Sequence, residues 1–197
     1  MQIFWLISLL FFLSGCATHA PVSLTQTTPP SWTKRQHQLQ ALDHWDIQGA
    51  IAVHAPNDSG SATFYWQQAQ QNYRLSLFGP FGAQAIEIQG SPGQVVLKTA
   101  QGAQNYANNP EELLYQQTGW NLPISALHYW IRGLPLPGIQ AERYFDTQNR
   151  LVILRQKQWE IHFDQYTFSN GFELPKRIVL LHTPFHIKIV ISQWRQV

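Results

Sequence analysis

A regular alternation of apolar and polar residues is the feature that most constrains this fold. It begins at Asp46 and continues to Leu97, and turn-forming residues divide it into short runs. A period of two places successive side chains on opposite faces of a β-strand. Short strands separated by turns at regular spacing predict an antiparallel meander that closes or nearly closes. The apolar positions of these runs include Ile47, Ile51, Val53, Phe64, Trp66, Leu75, Leu77, Ile86, Ile88, Val95 and Leu97.

Helical patterns interrupt this rhythm. Residues 110–118 begin with a proline and two acids and end before Gly119, which predicts a helix with favourable termini. A second helix is predicted over 123–132, because Pro123 opens it and Gly133 follows it. A weaker apolar stripe predicts a helix over 32–44, capped by Ser31. Since strand patterns resume from residue 143 to 194, the sequence predicts an α+β fold that is mainly β.

The first sixteen residues resemble a bacterial lipoprotein signal. Residues 3–13 form an apolar run of the length of a signal peptide, too short to span a bilayer as a helix, although no basic residue precedes it. The boundary Leu-Ser-Gly-Cys at residues 13–16 resembles a lipobox, and Cys16 is the sole cysteine. The alternative is an ordinary buried thiol. The resemblance implies removal of residues 1–15, triacylation of Cys16 and, with Ala17 next, delivery to the outer membrane.

Composition narrows the class of protein. The chain has 197 residues, of which 12% are charged, and its net charge is +2. Its 8 Trp, 7 Tyr and 11 Phe exclude a disordered chain, and the small, scattered positive charge argues against a nucleic-acid partner. Residues 16–31 lack periodicity and are predicted to be a lipidated flexible tether. Residues 32–197 are predicted to form one domain.

No motif in the sequence predicts catalysis or a cofactor. His182 and His186 flank a predicted turn and are the best metal candidates, but two histidines without a nearby carboxylate make a poor site. The adjacent acids at 111 and 112 do not share a helix face, and Asp43 and Asp46 fit a helix-to-strand junction. We therefore expect no enzyme activity, no metal and no cofactor.

Three segments, taken in order, resemble the LolB family of outer-membrane lipoprotein receptors. They are Gly-Pro-Phe-Gly at 79–82, residues 119–138 with Trp-Ile-Arg-Gly-Leu-Pro-Leu-Pro-Gly from Trp130, and residues 174–194. The resemblance covers the chain from about Leu39 to the C-terminus. It implies an incomplete antiparallel β-barrel around an apolar cavity with a helical lid, a fold shared with the periplasmic carrier LolA. It also implies that the protein takes triacylated lipoproteins from that carrier and inserts them into the inner leaflet of the outer membrane, without a nucleotide.

The resemblance assigns roles to particular residues. The loop Pro80, Phe81 and Gly82 is expected to insert cargo into the membrane, with Phe where the family often has Leu. Trp130 and Arg132 could both be lid elements at the cavity mouth, or Trp130 could be core and Arg132 a solvated cation at the end of a helix. We expect the lid for Trp130 and the solvated cation for Arg132. The partners are the LolA carrier, lipoprotein cargo and outer-membrane lipid, and the protein is expected to be a monomer on the periplasmic face. The acyl-cavity candidates are Ile51, Phe64, Trp66, Leu75, Leu77, Ile86, Leu127, Trp130, Ile131 and Ile189.

The alternative function belongs to a different class. Any barrel fills its interior with apolar residues, so the same pattern fits a lipid-anchored structural or scaffold protein with a filled core. The two functions differ in whether the interior holds an accessible apolar cavity.

Overall fold

A computed structural model describes residues 23–56, 59–80 and 86–195. They form one antiparallel sheet of 11 strands in the order β6-β5-β4-β3-β2-β1-β11-β10-β9-β8-β7, so that β1 and β11 join the two halves of the chain. The sheet is open, which confirms the predicted incomplete barrel. The elements are α1 (Pro30–Gln40), β1 (His44–His54), β2 (Gly60–Ala69), β3 (Asn72–Phe78), β4 (Ile86–Ser91), β5 (Gln94–Thr99), β6 (Gln104–Ala107), α2 (Pro110–Thr118), α3 (Ile124–Trp130), β7 (Glu142–Phe145), β8 (Leu151–Gln156), β9 (Trp159–Ser169), β10 (Phe172–His182) and β11 (Phe185–Arg195).

The alternating residues of the sequence line the inner face of this sheet in rows. In one row Gly49 pairs with Phe64, which pairs with Leu77, and the row continues across β4 to Ile86. The next row runs from Ile47 through the same strands and ends at Leu97 on β5. Because a period of two fixes the face of each side chain, the sequence pattern predicted these rows correctly.

The sheet has two ends, which hold different loops. The end where β3 ends and β4 begins is called the upper end. The end where β9 ends and β10 begins is called the lower end. Antiparallel order places Ala55, Ser59, Gly79, Pro80 and the turn at 183–184 at the upper end. The turns at 70–71, 92–93, 146–150 and 170–171 lie at the lower end.

The predicted helices are present, with small corrections at their ends. Asn109 caps α2 by accepting a hydrogen bond from the backbone N–H of Glu111, and Gly119 closes it in the left-handed conformation. Ser31 does not cap α1, because the helix begins at Pro30 and Pro29 occupies the cap position without a side-chain bond. Pro123 precedes α3 as its cap residue. Strand β6 was not predicted, because its sequence, Gln-Asn-Tyr-Ala, is mostly polar.

Part of the segment predicted as a tether contacts the domain. Thr25 exchanges two backbone hydrogen bonds with Phe145, the last residue of β7, at 3.0 and 2.8 Å. Pro29 is buried. The chain is therefore fastened to the lower end of the sheet from Thr25 onward.

The metal candidates of the sequence do not form a site. In the β10–β11 hairpin His182 pairs with Phe185 and His186 with Leu181, so the two histidines lie on opposite faces of the sheet. The ring of His182 lies 5.0 Å from that of Trp159, whereas His186 lies beside His54. Within the described ranges no three His, Cys, Asp or Glu side chains converge on a metal position. None of the helices in those ranges combines the length and apolar character needed to cross a membrane.

Candidate functional site

A pocket of about 430 Å³ opens at the upper end of the concave face. It lies between β2 to β5 and the C-terminal end of α2. Of the predicted cavity residues, Leu77 and Ile86 line it, and the exposed Pro80 stands at its rim. The rest of the wall comes from Ser59, Gly60, Ser61, Ala62, Gly79, Thr99, Gln101, Gln117, Thr118 and Trp120.

Trp120 forms one wall of this pocket and was not among the predicted cavity residues. Its ring lies against Gly60, where an added Cβ would come within 2.9 Å of the indole. Glycine at position 60 therefore permits the ring to lie close to β2. The backbone N–H of Trp120 donates to the hydroxyl of Thr118, which in turn donates to the carbonyl of Leu114. The available signal was a large aromatic directly after the glycine that ends a predicted helix.

The interior beneath the pocket is filled by the other cavity candidates. Ile51 pairs with Ala62 in the pocket wall, and Phe64 pairs with Leu77, so these two side chains form the layer next to the opening. Trp66 and Leu75 lie in the next row of the sheet, and Ile189 pairs with Ile51. All eight candidates that do not line the pocket are at most 6% exposed: Ile51, Phe64, Trp66, Leu75, Leu127, Trp130, Ile131 and Ile189.

Trp130 is fully buried and lies away from the pocket mouth. Its indole N–H donates to the side-chain oxygen of Gln156 at 3.2 Å. The same Gln156 accepts from the backbone N–H of Leu136 and donates to the carbonyls of Leu136 and Ile139. The Leu-Pro-Leu-Pro-Gly segment that follows α3 is thereby held against β8 by one buried glutamine.

Arg132 is not a solvated cation, and the expectation from the sequence was wrong. Its side chain is buried, and Nη1 donates to the carbonyls of Leu42 and Leu39 at 2.7 and 3.2 Å. Its Nε donates to the carbonyl of His128 in α3. Burial lowers the pKa of Arg132 to about 10, so the group stays charged at neutral pH. Arg132 therefore joins the end of α1 to the end of α3.

His128 is kept neutral in this region. Burial, and then the nearby charge of Arg132, lower the pKa of the imidazole to about 4. Its ring lies 6.2 Å from that of Trp45, which is fully buried and also packs against Trp66 and Trp194.

The first turn of α2 lies over another buried polar group. Tyr73 covers Gly90 on the neighbouring strand, where an added Cβ would meet its ring at 2.0 Å. Burial and the charge of Glu111 raise the pKa of Tyr73, and its hydroxyl has no hydrogen-bond partner among the described residues. Glu111 itself accepts hydrogen bonds from the backbone N–H and hydroxyl of Ser125, at 2.7 and 3.2 Å. The acids at 111 and 112 thus serve helix termini, and Glu111 joins α2 to α3.

Three of the predicted site residues lie outside the described residues. They are Cys16, Phe81 and Gly82. The described Pro80 directly precedes Phe81.

Solved structures with the same arrangement define a class. A LolA superfamily protein from Nitrosomonas europaea is similar with a TM-score of 0.56 and 9% identity, over 84% of this chain and 93% of that one. A DUF1329 family protein from Desulfovibrio piger gives a TM-score of 0.52 and 9% identity, over 83% and 89%. The chain therefore shares its overall fold with both solved structures.

Sequence relatives place the chain within this class. A family model described as outer membrane lipoprotein LolB matches residues 43–194. The outer-membrane lipoprotein LolB of Pseudomonas syringae pv. syringae is 38% identical over 190 residues, which are 95% of this chain and 93% of that one. Its counterpart in Pseudomonas paraeruginosa is 39% identical over 197 residues, or 99% and 96%. The chain belongs to the LolB family of outer-membrane lipoproteins.

Proposed function

We propose that the protein receives acylated lipoproteins from a soluble LolA-like carrier and inserts them into the inner leaflet of the outer membrane. Membership of the LolB family supports a role in lipoprotein localisation. The observation that carries the proposal is the pocket at the upper end, with Leu77 and Ile86 in its wall and Trp120 beside them. Because each exposed CH₂ of an acyl chain costs ~0.8 kcal/mol in water, a receptor needs an apolar surface that opens to solvent.

The pocket supports a path into the interior. Among the described residues, α2 has no side-chain hydrogen bond to the sheet it covers, and it rests there through the buried Leu113 and Leu114. Movement of α2 and Trp120 away from β2 would uncover Ile51 and Phe64 in the layer below. The deeper candidates Trp66, Leu75, Leu127, Trp130, Ile131 and Ile189 would extend this acyl-binding surface.

In this proposal no nucleotide, cofactor or catalytic residue takes part. Handover proceeds if the receptor binds the acyl chains more tightly than the carrier does, and if the bilayer binds them more tightly still. Each step of ~1.4 kcal/mol gives a tenfold bias in that direction. One pocket in one chain is sufficient, so the protein acts as a monomer.

The proposal includes a lipid anchor at Cys16. Removal of residues 1–15 would leave this cysteine as an acylated N-terminus, and residues 16–31 would connect it to the single domain of residues 32–197. Two or more acyl chains suffice for stable attachment to a bilayer. Mass spectrometry of the N-terminal peptide tests this assignment.

The loop Pro80, Phe81 and Gly82 is proposed to carry cargo into the membrane. Pro80 is exposed at the rim of the pocket, and Phe81 follows it directly in the sequence. An aromatic side chain at a loop tip is suited to enter the headgroup region of a bilayer.

Site-specific cross-linking tests the acyl pocket. A photoreactive phenylalanine analogue replaces Trp120 in one variant and the exposed Tyr115 of α2 in a matched control. Each variant is mixed with carrier loaded with an acylated lipoprotein. We expect cross-links to the acyl chains from position 120 and not from position 115. Equal cross-linking at the two positions contradicts the pocket.

Phe81→Glu tests the loop. We expect the variant to fold and to accept lipoproteins from the carrier but to fail to insert them into vesicles, since a carboxylate resists entry into lipid. Phe78→Glu is the control, because Phe78 is an exposed aromatic residue at the upper end and outside the pocket wall. If both variants insert cargo as the wild type does, the role of Phe81 is wrong.

Depletion of the protein in cells separates a receptor from a scaffold. Loss of a receptor should cause other outer-membrane lipoproteins to accumulate on the soluble carrier. Loss of a scaffold with a filled core would leave their distribution unchanged.

A further inference from the structure

An exposed aromatic side chain marks the lower end of the domain, opposite the pocket. Phe168 is 75% exposed, more than any other large apolar side chain in the described ranges. It lies near the end of β9, opposite Glu173 of β10, and the turn at 170–171 follows it. The proposed transfer reaction at the upper end does not use this residue.

A shallow groove of about 350 Å³ separates Phe168 from α1. Its wall contains Phe172 together with Lys34 from the first half of α1 and the β7–β8 turn at Gln148 and Asn149. Two arginines near this groove are neutralised locally, because Arg35 lies 2.6 Å and Arg150 3.7 Å from the carboxylate of Glu173. Lys34 forms no ion pair with a described residue, so it adds a free positive charge beside the aromatic side chain.

The N-terminal segment leaves the domain at this same end. Thr25 is bonded to Phe145, whose strand leads directly into the β7–β8 turn of the groove. Leu24, the residue before it, is 44% exposed. Nine residue steps separate Thr25 from Cys16, and an extended chain of that length spans at most about 32 Å. An acylated Cys16 would therefore keep the lower end close to the bilayer.

The pocket and Pro80 lie at the far end of the sheet. Strands β1 and β11 have 11 residues each, and such a strand is about 35 Å long. The strand length is thus comparable to the longest reach of the N-terminal segment. With the lower end on the membrane, the pocket mouth points away from it.

We propose that a patch of Phe168, Phe172, Leu24 and Lys34, the anchor-end patch, rests on the surface of the lipid bilayer. Apolar and aromatic side chains insert at the level of the headgroups, and a lysine beside them is attracted to anionic lipid. This contact, together with the anchor, holds the domain upright with its pocket facing the carrier. Pro80 then reaches the bilayer only when the domain tips over and the anchor-end patch is released. The inference rests on the proposed acylation of Cys16.

Spin labelling of the full, lipidated protein tests this contact. Acylation blocks the only native thiol, so Phe168→Cys, Pro80→Cys and Tyr106→Cys each offer one labelling site. Tyr106 is 61% exposed on edge strand β6 and serves as the control. The labelled proteins are placed in vesicles of phosphatidylethanolamine and phosphatidylglycerol, and collisions with oxygen and with a water-soluble nickel chelate are measured.

At position 168 we expect roughly threefold or greater protection from the nickel chelate relative to position 106, together with higher oxygen accessibility, as for a side chain at the headgroup boundary. Position 80 should match the control. A label at 168 that is as open to the chelate as the label at 106 overturns the inference. So does protection at 80 with exposure at 168, which would mean that the pocket end rests on the membrane.

Two further measurements distinguish a membrane contact at position 168 from contact with a second copy of the protein and from a missing lipid anchor. Dilution with unlabelled protein removes spin–spin broadening if a second copy covers Phe168, and that result overturns the membrane contact. The mass of the N-terminal peptide is measured on the same sample. Missing acyl chains contradict the anchor and the inference together, whereas intact acyl chains with an exposed label at 168 contradict the inference alone.

Discussion

The helices that fill the concave face are held in two different ways. On the side of β8 to β11, buried polar groups fasten α1 and α3: Arg132 bonds to backbone carbonyls of both, and Gln156 bonds to Trp130. On the side of β2 to β6, α2 lies over the sheet without a side-chain hydrogen bond to it among the described residues. Buried hydrogen bonds are expensive to leave unmade, whereas apolar contacts can be exchanged for contacts with a ligand. The comparison predicts that the cover opens more readily at α2 than at α3.

The largest effect is expected from removing the buried charge of the fastened side. Arg132→Met removes the side-chain donor that bonds to the carbonyls of Leu39, Leu42 and His128, and we expect a loss of about 2–4 kcal/mol in the free energy of unfolding. Urea unfolding measures it. Arg155→Met is the control, because the Arg155 side chain is 47% exposed and its ion pairs lie at the surface. Equal losses in the two variants would mean that the buried bonds of Arg132 do not hold the helices.

Acid should lower the free energy of unfolding through His128, which lies in α3. The pKa of this imidazole is about 4 in the folded protein against an ordinary 6.5, so the unfolded chain binds more protons between these values. Stability is therefore expected to fall as the pH drops from 6.5 towards 4, by at most about 3 kcal/mol. Unfolding at several pH values measures the slope, which should be smaller in His128→Asn. The exposed His44→Asn is the control, and a slope unchanged in His128→Asn would contradict this assignment.

On the side of α2, truncating a large side chain should destabilise the protein less than Arg132→Met does. It should also change the access of a ligand to the pocket. Trp120→Ala removes a half-buried ring from the pocket wall, and we expect a loss of about 1 kcal/mol. An apolar fluorescent fatty-acyl probe should enter the pocket faster in this variant. Stopped-flow binding measures the rate, with Tyr115→Ala as the control because that ring is exposed on α2, just before Trp120. A loss of stability as large as that of Arg132→Met would remove the contrast between the two sides.

The smallest effect concerns the contact of Trp120 with β2. Gly60→Ala places a methyl group within 2.9 Å of the indole, so the ring must shift, at an expected cost of about 0.5–1 kcal/mol. In the Trp120→Ala background this cost should vanish. A double-mutant cycle measures the coupling. A coupling near zero would show that the ring does not lie against Gly60 in solution.

Several elements were predictable because their signals are local. The alternating residues, the ends of α2 and the position of Gly119 follow from period and capping chemistry within a few residues. Arg132 was predicted wrongly for the converse reason. A cation in the last turn of a helix usually meets solvent, but here the end of α1, about 90 residues earlier in the chain, supplies carbonyls to it.

The pocket also contains residues that local patterns predicted and a residue that they did not. Leu77 and Ile86 were predicted from strand alternation, and both line it. Trp120 was missed because its place depends on how the residues after α2 turn back over β2, and on the space that a glycine 60 residues earlier leaves for its ring. The sequence also indicated no difference between the two histidines of the β10–β11 hairpin, which the register places on opposite faces of the sheet.

By itself, the sequence determined the strands, the helical insertion and the resemblance to the LolB family, because period, turn residues and motifs are written in neighbouring positions. Only the tertiary structure decided which apolar residues are packed and which border an opening. It alone placed the start of the described chain and the pocket at opposite ends of the sheet. These features depend on distant segments meeting in space, and the free energy of such contacts comes from burial and hydrogen bonds that no local pattern records.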